Sequence, residues 1–108
     1  MSNYLFIQSQ DPFTEIRTSH QYQLAQDLQL AGNTVAVLLV QNGVMPARAG
    51  ACSKEFDALL NSTVVIIADK FALQQREISS NELKQNIYIG TLEHAIDALL
   101  AGHKVIWN

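Results

Sequence analysis

Thr34-Val35-Ala36-Val37-Leu38-Leu39-Val40 decides the fold. The run is β-branched and apolar throughout, so it reads as a strand with both faces covered. That suits a parallel sheet between helices better than an antiparallel sheet with one wet face. Thr63 to Ala68 (TVVIIA) repeats the signature and is the most strand-like stretch in the chain. Val64 to Ile67 within it is expected to lie centrally.

Working outward, strand-like and helix-like segments alternate. Tyr4-Leu5-Phe6-Ile7 is a short apolar run ended by polar Gln8 to Pro12. Thr18 or Ser19 caps a following helix whose stripe is Leu24, Ala25, Leu28 and Ala31, closed at Gly32-Asn33. Asn42-Gly43 is the exit turn of the second strand. Ala47 to Leu60 then reads as a helix with Cys52, Phe56, Leu59 and Leu60 on one stripe. Lys70 to Gln75 is a short helix, and Ser79 to Asn86 is polar and loop-like with room for one helical turn. Ile87-Tyr88-Ile89 is a short strand. Thr91 caps a helix carrying Leu92, Ala95, Ile96, Leu99 and Leu100 that Gly102 ends, and Lys104 to Trp107 is the last strand.

The result is five strands alternating with four helices over 108 residues, one domain's worth of chain. Strands separated by helices need right-handed crossovers, hence an α/β fold: a parallel five-stranded sheet with helices on both faces. The doubly wound order 2-1-3-4-5 is expected, with its switch point between the first and third strands. Function then belongs at the carboxyl ends of the strands, in Ser9 to Arg17, Gln41 to Gly50 and Asp69 to Ala72. The binding candidates there are Ser9, Asp11, Asn42 and Asp69.

Composition narrows the classes. Charged residues make up 16% of the chain, against about 25% in ordinary domains. A surface poor in charge suits a large subunit contact; a neutral, Gln-rich solvated surface is the alternative. The seven basic residues are scattered and the net charge is −3, which argues against direct nucleic-acid binding. The start MSNYLFIQSQ lacks the pattern of a signal peptide, and no apolar run approaches membrane-spanning length, so a cytoplasmic protein away from membranes is expected. One cysteine allows neither an internal disulfide nor a Cys-rich zinc site. His20, His94 and His103 are too dispersed for a metal set, so no metal is expected.

No loop carries a glycine-rich phosphate cradle, and nothing points to a cofactor. Asp69 sits where a response-regulator receiver is phosphorylated. The acidic pair after the first strand and the lysine after the last, which a receiver needs, are missing. Asp69 as the N-cap of the helix Lys70 to Gln75 suffices. Cys52 is the one candidate nucleophile. Arg48 and a helix N-terminus would favour its thiolate, whereas the stripe with Phe56 and Leu59 predicts a mostly buried, inert thiol.

Val37-Leu38-Leu39-Val40-Gln41-Asn42-Gly43-Val44 resembles the strand-and-turn motif of the DsrE/DsrF/DsrH-like sulfur-relay family, to which the Tus subunits belong. The helix with Phe56, Leu59 and Leu60, the stretch Val64 to Ile78 and the closing helix with Lys104 to Trp107 are similar to that family as well. The resemblance implies persulfide passage between proteins, in tRNA thiolation or sulfur oxidation, by dimers, trimers or hexamers. It also implies a Cys just after the third strand, where this chain has Ala68-Asp69, and a Gly where it has Glu77. These departures resemble the thiol-poor, partner-binding members. The expected function is therefore a non-catalytic subunit acting by assembly, as a homo-oligomer or with Cys-bearing DsrE-like subunits. The alternatives are a persulfide carrier (a sulfurtransferase) using Cys52 and, behind it, a small-ligand or nucleotide site at the sheet's carboxyl edge.

Overall fold

The computed structural model describes residues 1–108. Five parallel strands, β1 (Asn3–Gln8), β2 (Thr34–Leu39), β3 (Val65–Asp69), β4 (Ile87–Gly90) and β5 (Lys104–Trp107), form one sheet. The helices are α1 (Ile16–Leu30), α2 (Lys54–Leu60), α3 (Lys70–Gln75) and α4 (Glu93–Leu100), with 3₁₀ turns at Gln41–Ala47 and Ser80–Glu82. The expected α/β class, with helices on both faces, is what the chain adopts.

The strand order is a correction. It runs β4-β3-β2-β1-β5 instead of 2-1-3-4-5, so β3 is interior but β2 is the middle strand. Each of the first three connections steps to the next position in the same direction. Right-handed crossovers then place the helical connections on one face. Only β4→α4→β5 runs back, so α4 alone crosses the opposite face. β1, with Phe6 buried on one face and Leu5 and Ile7 on the other, is interior in either order. Its second neighbour is β5 instead of β3, a choice that local hydrophobic patterns do not encode because either order satisfies right-handed crossovers.

The two faces are unequally packed. The α1/α2 side holds a core of 16 buried residues, including Phe6, Tyr22, Val37, Phe56, Leu59 and Ile66. The α4 side holds six: Leu5, Ile7, Leu38, Val40, Ile67 and Ala98. Gly43 is set by close approach, since a Cβ there would run into the carbonyl oxygen of Gln8 as the chain leaves β2 beside β1.

Two helix starts also differ from expectation. Glu15, not Thr18 or Ser19, caps α1; Thr18 is inside the helix and buried. The single helix expected over Ala47 to Leu60 is instead a 3₁₀ segment, an extended stretch and the seven residues of α2. Gly50, inside the expected span, disfavours a continuous helix. The Ser53 side chain accepts the Phe56 amide, which starts α2 at Lys54.

Candidate functional site

The carboxyl ends of β1, β2 and β3 bring Ser9, Asn42 and Asp69 to one edge of the sheet, and their polar side chains serve the fold. Ser9 donates from both its amide (2.7 Å) and its hydroxyl (2.9 Å) to the Asn108 carbonyl. Asn108 Nδ2 in turn donates to Gln8 Oε1 at 2.9 Å. This lattice joins the ends of β1 and β5, where the strand order reverses. In open α/β sheets a crevice at such a reversal is the usual ligand position; here Asn108 lies across it.

Asp11 Oδ1 accepts the amides of Phe13 and Thr14 at 2.8 and 2.9 Å, and both of its oxygens accept the Thr14 hydroxyl. It is a buried Asx turn that shapes the loop after β1. Asn42 Oδ1 accepts from Arg76 Nη2 at 2.9 Å, tying the 3₁₀ turn to the end of α3. Asp69 is buried, and its Oδ2 accepts the Ala72 amide at 3.1 Å. The expected N-cap role of Asp69 is therefore the observed one.

Cys52 is exposed, contrary to the expectation of a buried thiol. It precedes the Ser53 cap and so lies outside α2, and the stripe it was expected to share begins at Phe56. Beside it, Arg48, Ala51 and Glu82 help line an open polar depression of about 530 Å³. Arg48 Nε donates to the Met45 carbonyl at 2.9 Å.

Sequence patterning missed a set of buried polar atoms. Gln8 Nε2, Thr18 Oγ1 and the Tyr22 hydroxyl are buried with no partner in the chain. Burial, and secondarily the Asp11 carboxylate, push the ionisation of Tyr22 well above the usual phenol range. The signal was available: Thr18 and Tyr22 are i, i+4 on one helix face, but an apolar count passes over Thr. Two further depressions flank α4. One, of about 330 Å³, runs between α4 and the strands with Leu5, Ala36, Ile67, His94 and Asp97 in its wall. The other lies at the end of β3, with Asp69, Phe71 and Leu92 among its lining. Nowhere do three or more His, Cys, Asp or Glu side chains come together in a way that could hold a metal ion. No helix is long and apolar enough to cross a membrane.

No protein-family model and no curated protein matches the chain. Solved structures match its shape. The protein of unknown function MTH1491 from Methanobacterium thermoautotrophicum superposes with a TM-score of 0.87 at 16% identity over the whole of both chains. The ychN protein from E. coli gives 0.87 at 20% identity, again over the whole of both chains. The conserved protein of unknown function BT1422 from Bacteroides thetaiotaomicron gives 0.74 at 16% identity, covering 97% of this chain and 94% of that one. At these identities the likeness is one of fold.

Proposed function

We propose that this chain is a non-catalytic DsrE-like subunit that serves sulfur relay by assembling with other chains, copies of itself or Cys-bearing DsrE-like subunits. The observation that carries the reading is the end of β3. Where sulfur-carrying members of that family bear their cysteine, this chain has Asp69, buried and engaged as the cap of α3. A capped carboxylate cannot accept sulfane sulfur. Glu77 supports the register of the resemblance. It adopts φ 55, the left-handed conformation that glycine takes most easily, at the position where the family places Gly.

The exposure of Cys52 favours a second reading, a persulfide carrier. In that reaction the Cys52 thiolate attacks the terminal sulfur of a donor persulfide. A new S–S bond forms on Cys52, the donor's S–S bond breaks, and the donor leaves as its thiolate. One experiment separates the two: incubate wild type and Cys52→Ser with a persulfide donor and weigh the intact proteins. The subunit reading expects no Cys52-dependent gain of a sulfur atom. It also expects capture of a Cys-bearing DsrE-like subunit or of a second copy. Wild type that gains sulfur while Cys52→Ser does not would establish the carrier instead.

A further inference from the structure

Helix α4 is turned the unusual way round. The residues it sets against the sheet are small or polar: Ala98 is buried, Ala95 packs beside it, and His94 and Ala101 line the groove beneath. Its large apolar residues point outward. Leu92, just before the helix, and Ile96, Leu99 and Leu100 within it are 50%, 57%, 62% and 83% exposed. Their spacing of i, i+4, i+7 and i+8 makes one continuous stripe. A helix meant to end at solvent would carry polar residues there.

The stripe does not stand alone. Trp107 on β5 alternates with Ile106, which packs on the α1 side, so its ring projects on the α4 side; it is 64% exposed. Across α4, Tyr88 (65% exposed) and Val65 (41%) lie with Ile67 along an apolar depression next to His94. The face arises from the topology, because one returning helix cannot cover five strands.

From these observations we infer that the α4 face is buried against a second copy of this chain. The inference deepens the assembly part of the reading above and does not depend on sulfur chemistry. The area supports it. With roughly 100 Å² for an aliphatic side chain and 150–250 Å² for an aromatic one, the exposed fractions amount to about 600 Å² of apolar surface. That is the upper end of what a monomer leaves open, about 300–600 Å². At the apolar share of homodimer interfaces, about 65%, it corresponds to roughly 900 Å² per copy, where a stable complex needs about 800 Å². The four apolar residues of the stripe have no charge among them, as in the cores of contacts between permanent partners, and Asp97 lines the groove. Glu93, at the start of the helix, stays apart from its counterpart when two α4 helices cross antiparallel, which also opposes their dipoles.

The test is sedimentation of the whole chain at micromolar concentration, with Ile96→Glu, Leu99→Glu and, on the far side, Ile16→Glu. Wild type and Ile16→Glu are expected at a multiple of 12.0 kDa. The two α4 variants are expected to be monomers with unchanged circular dichroism, weakened on the order of a hundredfold or more by a charge buried without a partner. Trp107, the only tryptophan, reads the same event in wild type without any substitution: its emission should shift to the blue as concentration rises. A monomeric wild type overturns the inference. So does an assembly that ignores both α4 substitutions and leaves Trp107 emission unchanged; that outcome defeats this face alone, while sulfur loading on Cys52 decides the subunit reading separately.

Discussion

Glu77 holds a left-handed backbone, φ 55, at the end of α3. The amide of Ile78 reaches the Leu73 carbonyl (3.0 Å) and that of Glu77 reaches the Gln74 carbonyl (3.1 Å), a Schellman closure. A side chain there costs roughly 1–2 kcal/mol, so Glu77→Gly should stabilise the chain by about 1 kcal/mol. That would raise the melting temperature by roughly 4–8 °C, measurable by calorimetry. Tyr22 offers the converse. Its ring packs edge-on against Phe56, centroids 5.4 Å apart, while its hydroxyl is buried without a partner. Tyr22→Phe should therefore leave stability at neutral pH unchanged or raised. Because burial favours the neutral phenol, Tyr22 ionises later in the folded chain than in the unfolded one. Its contribution is complete below the unfolded value of about 10 and is lost as pH rises past it. Urea melts on both sides of that value should show wild type losing more stability than Tyr22→Phe. Equal losses would mean the hydroxyl is not held as described.

At the scale of the element, caps decide what periodicity leaves open. The stripe of Phe56, Leu59 and Leu60 was legible in the sequence, and all three are buried. The start of their helix was not legible, because spacing alone extends the stripe back to Cys52. The Ser53 hydroxyl fixes the start at Lys54, two residues later, and leaves the exposed thiol outside the helix. Ser53→Ala should cost about 1 kcal/mol. Native Cys52 should react with a thiol reagent as fast as a cysteine in an unfolded peptide; a rate slowed many-fold would contradict its exposure. Asp69 shows the opposite case. Its cap was legible because a strand, one aspartate and a helix follow each other without a gap. α4 lies between the two: its apolar residues were plain, but which of them meet the sheet depends on a topology that no local pattern encodes.

The whole molecule is set by a single reversal of direction. Hydrophobic alternation revealed five parallel strands between helices, since each element carries its own period. It could not reveal their order, because any sequence of right-handed crossovers satisfies the same local patterns. The order β4-β3-β2-β1-β5 commits three connections to one face and leaves the other to α4. It also makes β4 and β5 four-residue edges. Stability should follow that division. β1, β2 and β3 sit against the 16-residue core, whereas α4 is held by a cluster of six. Amide exchange should therefore be slowest in β1, β2 and β3, and α4 should open in a local event well below global unfolding. Contact with a second copy would act on that opening alone, by mass action, since a partner that binds only the closed form stabilises it in proportion to its concentration. Exchange measured by mass spectrometry at two protein concentrations is then expected to slow across Glu93 to Leu100 and at Trp107 in the concentrated sample. Peptides from α1 and β2 should be unchanged. Protection of α4 that equals that of β2 in the dilute sample would show the second face to be closed by the chain's own packing, with no need of a partner.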